Sequence, residues 1–157
     1  MAEKQNILRK IIEGLLMVLS FVLLLWDKIW NLVIVHRSIG TDIISVSFCV
    51  FGLFLCLWAR EVLAGNWNIG VVLKKKHELI KTGPYSYVRH PIYSGLIFIF
   101  FGTALAIGKL GGFIGLIVLI ISLWFKLRDE EKLMIEYFGK RYLDYMRNTS
   151  ALLPKVI

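Results

Sequence analysis

KHELIKTGPYSYVRHPIYSG, residues 76–95, is a polar stretch punctuated by proline and glycine inside a very apolar chain. It holds two of the three histidines, two of the three prolines and three of the six tyrosines. Gly83-Pro84 is a turn signal. Pro91 biases His90 toward extended backbone and suits the first turn of a following helix. The stretch therefore reads as a loop that approaches an apolar layer and then enters it as a helix. The first N–H groups of such a helix lack intrahelical partners and can hold an anion. Tyr85, Tyr87 and Tyr93 offer flat faces and hydroxyls that suit a purine and a ribose. Tyrosine, arginine and histidine also populate the membrane–water boundary, so the same residues equally suit an ordinary interfacial loop.

Composition sets the surroundings of this island. Of 157 residues, 57% are hydrophobic, against about 45–50% in soluble domains. The excess is concentrated in long runs, which indicates an integral membrane protein. The net charge is +8. Its basic residues flank the apolar runs, so anionic headgroups are the expected partner and nucleic acid is not. Cys49 and Cys56 are seven apart in one apolar run. On a helix they share a face about 10 Å apart, which suits lipid or packing contacts and is too far for a disulfide.

The runs divide the chain. Residues 1–10 read as a polar flank and 11–30 as a first span, without a cleavage site and hence retained. Asp27 falls at headgroup level or serves as an intramembrane acid. Residues 41–58 form the second span, 92–107 the third and 110–127 the fourth, the last two joined only by Gly108-Lys109. Lysine and arginine crowd the N-terminus, the 65–91 connection and the tail. The opposite loops carry Lys28, Arg37 and Lys109. The positive-inside rule then places both termini in the cytoplasm. Residues 128–147 show apolar spacings of three and four, and predict one amphipathic helix for the membrane surface or the face of a catalytic domain. Residues 129–131, all acidic, would favour its N-terminal dipole end. The expected fold is all-α, integral membrane, with four spans and an amphipathic cytoplasmic C-terminal helix. Residues 1–64 supply two spans and 65–157 the functional core of one structural domain.

Beyond the island, Lys126 and Glu130 are i, i+4 on one helical face, with Arg128, Asp129 and Glu131 beside them. As a structural feature this is a salt bridge where the fourth span ends. The hairpin returns this end to the side of the island, which makes it a candidate second half of a site. His77 and His90 are 13 apart with no cysteine or third histidine nearby. Glu130 or Glu131 would have to complete a zinc site, and no metal is expected.

GPYSYVRHPIYSG, preceded by HELI and followed by an acidic pair and FGKRYLDYMR, resembles the isoprenylcysteine carboxyl methyltransferase family. More distantly it is similar to phospholipid N-methyltransferases and to the C-terminal part of sterol reductases. The resemblance covers residues 65–154. It implies a membrane-embedded helical fold that binds S-adenosylmethionine without a Rossmann sheet. It places His77, Glu78, Leu79 and Ile80 in one cofactor segment, adds Tyr85, and places His90, Pro91, Ile92 and Tyr93 in a second. Glu130 matches an acid that touches the cofactor. The family's substrate-orienting arginine corresponds to Lys126, which keeps the charge and loses the planar fork; Arg128 is the candidate to compensate. Lys126, Arg128 and Glu130 are thus the catalytic set, with Lys126 and Arg128 binding substrate.

The function so implied is methylation of a lipid-linked acceptor at the cytoplasmic membrane surface. The favoured acceptor is the carboxylate of an isoprenylcysteine-like small molecule or protein. A phospholipid amine is the alternative, with Glu131 or His90 taking its proton. A sterol-reductase-like protein and a non-enzymatic membrane protein are the less favoured classes. The partners implied are the prenylated or lipid acceptor and membrane lipids, and the location is a prokaryotic plasma membrane.

Overall fold

The computed structural model describes residues 2–25, 32–63 and 79–154. Among these the chain is helical: α1 (Ala2–Leu25), α2 (Ile39–Leu63), a 3-10 helix (Gly83–Ser86), α3 (Pro91–Ile107), α4 (Leu110–Phe138) and α5 (Lys140–Asn148). Two isolated β-bridges, Val33 with Lys109 and Val88 with Ser150, are the only extended pairings among the described residues. Two of the helices, α2 and α4, are long and apolar enough to cross a bilayer, and α3 is a shorter apolar helix. His77, Glu78, Trp26, Asp27 and Lys28 lie outside the described residues.

Several boundaries differ from the sequence expectation. Helix α1 starts at Ala2 and absorbs the polar flank, because residues 2–10 contain neither proline nor glycine to stop a helix. Helix α3 begins at Pro91 itself, the position where a missing N–H costs nothing. The predicted single helix over 128–147 does not exist as such. Helix α4 runs unbroken for 29 residues to Phe138, and α5 is a separate element of nine residues. Residues 129–131 thus lie well inside α4, and the helix-dipole argument for them falls away. The run RDEEKLMIEYF is rich in strong helix formers, so the helix continues past the end of the apolar segment. The break comes at Gly139, whose φ of 54° few side chains tolerate.

The chain falls into two compact units, and α2, α3 and α4 contribute to both. The first unit comprises residues 1–50 and 97–126. Its core includes Leu24, Phe100, Ala104, Leu116, Leu119 and Leu123. The Phe21 and Phe100 rings meet edge to face at 4.7 Å. The α3–α4 link is held by its backbone: Ile34 and Val35 both donate to the Gly108 carbonyl, and Leu110 donates to that of Leu32. Buried hydroxyls find carbonyls, Ser45 at Thr41 (2.7 Å) and Ser122 at Glu13 (3.2 Å). Cys49 directs its thiol to the Ile99 carbonyl at 3.6 Å, a packing contact.

The second unit comprises residues 51–96 and 127–157. Its buried side chains include Ala59, Pro84, Tyr85, Val88, Pro91 and Leu127, together with Tyr142 and Tyr145 from α5 and Ala151 and Leu152 beyond it. The buried face of the amphipathic α5 is thus directed into its own unit. Cys56 points its thiol at the Ile92 carbonyl, 3.5 Å away.

Close approach of α2 and α3 depends on small residues. In the first unit, a Cβ on Gly102 would lie 2.6 Å from the Ser45 carbonyl oxygen and 3.0 Å from the Cys49 backbone nitrogen, neither of which can yield. Gly102→Ala is therefore expected to cost about 1–3 kcal/mol. Gly14, with nothing within 4 Å of such a Cβ, should gain up to about 1 kcal/mol on the same change. Thermal unfolding of the purified protein in detergent checks this. Equal midpoints for the two variants would contradict the packing assigned to α2 and α3.

Candidate functional site

The polar cluster of the second unit is assembled from two ends of the chain. Gly83, at φ 60°, and Pro84 close a 3-10 turn in which Tyr85 N–H donates to the Thr82 carbonyl. The chain then extends, and Val88 forms a parallel bridge with Ser150. Arg89 N–H donates to the Ser150 carbonyl at 2.9 Å and His90 N–H to that of Ala151 at 3.0 Å. The Ser94 hydroxyl reaches the Leu152 carbonyl at 2.5 Å. The segment 149–152 is therefore laid along the loop that precedes α3. From α5, the Tyr145 hydroxyl donates to the Tyr85 carbonyl at 2.5 Å.

Onto this frame α4 brings two adjacent acids. Successive residues on a helix point about 100° apart, so Glu130 and Glu131 take different hydrogen-bond partners and share only the neighbouring His90. Arg89 Nε donates to Glu131 Oε1 at 2.7 Å, and both side chains are only 10% exposed. The guanidinium also donates through Nη1 to the main-chain carbonyls of Met146 and Thr149. Glu130 Oε1 accepts the Tyr93 hydroxyl at 2.5 Å. His90 lies between the acids: Nδ1 is 3.6 Å from Glu130 Oε2, and Nε2 is 3.4 Å from Glu131 Oε1. Nε2 is buried without a well-formed hydrogen bond, so the second contact is close approach rather than a formed bond. The His90 and Tyr93 rings are parallel to within 4° at 5.4 Å.

The electrostatics follow from burial. Glu131 lies on the polar end of α4, beyond the apolar run. Burial disfavours its charged form, but His90 and Arg89 more than offset this and hold its carboxyl below the usual range. Burial pushes the Tyr145 phenol up to about 12, and raises Tyr85 and Tyr142 as well. All three are neutral hydroxyl groups at physiological pH.

Of the residues expected from the sequence, the structure joins His90, Tyr93 and Glu130 in one cluster. Pro91 is buried at the start of α3, and Ile92 is half-buried with its carbonyl taken by Cys56. Tyr85 is buried within the unit, and Leu79 and Ile80 are half-buried just before the turn. Arg128 is exposed on α4. Lys126 belongs to the first unit, on the same helix as Glu130. Sequence reasoning gave Arg89 no role in the site, and it treated Glu131 as part of a helix-dipole triplet, as a base for an amine acceptor or as a metal ligand. The available signal was the acidic doublet itself, because adjacent acids on a helix point about 100° apart and can bond to different groups. Among the described residues no group of three or more His, Cys, Asp or Glu is arranged to hold a metal ion.

Residues 41–141 match the family model described as phospholipid methyltransferase. Protein-S-isoprenylcysteine O-methyltransferase of Saccharomyces cerevisiae is 32% identical over 134 residues, covering 79% of this chain and 54% of the yeast protein. The Mus musculus protein of the same name is 33% identical over 112 residues, covering 67% of this chain and 38% of its own length. The chain thus spans about half the length, or less, of these curated relatives. Among solved structures, the eukaryotic intramembrane Ras methyltransferase, isoprenylcysteine carboxyl methyltransferase, superposes with a TM-score of 0.69 at 24% identity, over 74% of this chain and 43% of that one. That likeness establishes a shared helical fold.

The lowered Glu131 pKa has a defined consequence for stability. A carboxyl depressed in the folded state stabilises fully above its usual value of 4.5 and loses that contribution as pH falls through the folded value. The thermal midpoint of the protein in detergent should therefore drop more steeply below pH 4.5 than that of Glu131→Gln. At neutral pH the variant should be the less stable protein, by about 3–5 kcal/mol, because the buried Arg89 loses its only carboxylate counter-charge among the described residues. Parallel pH profiles for the two proteins would refute this role for the carboxylate.

Proposed function

The chain belongs to the phospholipid methyltransferase family, and on that premise we propose that it is an S-adenosylmethionine-dependent methyltransferase. Its acceptor in this reading is the carboxylate of an isoprenylcysteine-like lipid at a membrane surface. The observation that carries the reading is the 2.5 Å hydrogen bond from Tyr93 to Glu130. It ties together the two parts of the chain, 37 residues apart, that the sequence resemblance assigns independently to one cofactor. The activity named for these relatives supports the choice of a carboxyl acceptor.

The residues present suit the cofactor. Glu130 is half-buried and carries a carboxylate, the natural partner for cationic or hydroxyl groups of a ligand. His90 and Tyr93 form a flat, parallel ledge beside it. The segment 77–80, Tyr85, Pro91 and Ile92 complete the proposed contacts, His77 and Glu78 among them lying outside the described residues. When bound, S-adenosylmethionine supplies a methyl group activated by a cationic sulfonium. A carboxylate acceptor is already nucleophilic at neutral pH and needs orientation rather than a base. Lys126 and Arg128 are the proposed orienting cations.

Membrane placement fits the same reading. Ile43, Val46, Val50, Leu53 and Leu57 of α2 recur at three- and four-residue steps, each more than half exposed. Such a face suits acyl chains and not water. Four spans with both termini in the cytoplasm, in a prokaryotic plasma membrane, complete the proposed topology.

Incubation of the purified protein with methyl-labelled S-adenosylmethionine and a farnesylcysteine analogue tests the proposal. Label released as methanol by base identifies an ester. Base-stable label on added phosphatidylethanolamine, with none on the analogue, would reverse the acceptor assignment. No transfer to either would sink the enzymatic reading. Glu130→Gln removes one charged hydrogen-bond partner and should lower kcat/KM by roughly 10–100-fold, corresponding to about 1.5–3 kcal/mol.

A further inference from the structure

We propose that Arg89 and Glu131 form a positioning pair that fixes the His90 ring, and through it Glu130, for cofactor binding. The inference rests on the reading of the site above and adds two residues that reading does not assign. Arg89 is held by acceptors on two elements besides its own: Glu131 on α4, Met146 on α5, and Thr149 just beyond α5. It is therefore an anchored cation rather than a mobile one. The oxygen of Glu131 that accepts from Arg89, Oε1, is the same atom that faces His90 Nε2 at 3.4 Å. That nitrogen is buried, and an imidazole edge in such a place is oriented by the polar group set against it.

The opposite edge of the ring faces Glu130 Oε2, and its face lies on Tyr93, whose hydroxyl is bonded to Glu130 Oε1. His90, Glu130 and Tyr93 thus close a small circuit, and Glu131 meets it at the His90 edge. Tilting or retracting the Glu131 carboxylate would release the ring and change where Glu130 points. Neither Arg89 nor Glu131 needs to touch the cofactor for this. They act through His90, so they are positioning residues.

The test is calorimetric titration of S-adenosylhomocysteine into the full chain in detergent, for wild type, Arg89→Lys, Glu131→Asp, Glu131→Gln and the Arg89→Lys/Glu131→Asp double variant. The lysine and aspartate variants keep the charges and a folded core while losing reach or the fork. Each single variant should raise Kd about tenfold with stoichiometry retained. The double variant should bind no worse than the poorer single, as coupled residues do. The exposed neighbour Lys132, changed to alanine, should leave Kd unchanged. A reduced stoichiometry at unaltered Kd would mean that the pair only supports folding, and would overturn the proposal. So would wild-type Kd in the charge-retaining variants, or additive losses in the double. Absence of binding by wild type would instead strike at the cofactor reading itself.

Discussion

A guanidinium cannot shed its proton to enter a protein interior, so every buried arginine must be given acceptors. In this chain the requirement falls on Arg89. A carboxylate from α4 and two carbonyls at the far end of α5 meet it. Those three acceptors lie 42 to 60 residues away in sequence. Satisfying one side chain therefore recruits the polar end of α4, the whole of α5 and the segment after it. The second unit is organised around that demand as much as around its apolar core.

The arrangement also explains why two acids stand side by side in α4. One neutralises Arg89, and the other remains to serve the His90–Tyr93 ledge. A single acid would have to choose between Arg89 and the Tyr93 hydroxyl. The helix geometry separates the two by rotation, and the His90 ring is set between the two carboxylates. Long extension of α4 past its apolar segment is what makes this possible, because a helix that stopped at Leu127 would carry neither acid.

The apolar helices were legible in the sequence because membrane-scale hydrophobicity is a one-dimensional signal. Helix α3 and the Gly108-Lys109 link followed from Pro91 and from the shortness of the connection. The extent of α1 and α4 was not legible by that route, since polar helix formers continue a helix silently after the hydrophobic signal ends. Gly139, not the acidic triplet at 129–131, marks the true break. Within the site, His90, Tyr93 and Glu130 were reached through motif resemblance. The Arg89–Glu131 pair was not, because a buried ion pair is a relation between distant positions, and each partner alone looks like a surface charge.

The segment 149–152 acts on the site almost entirely through its main-chain carbonyls, which receive Arg89, His90 and Ser94. Every amino acid carries the same carbonyl. These contacts therefore do not depend on which side chains the segment carries, although Ala151 and Leu152 are themselves buried in the core. The family model ends at residue 141, short of this segment. A part of the molecule can thus shape the entry to α3 through groups that every residue type carries.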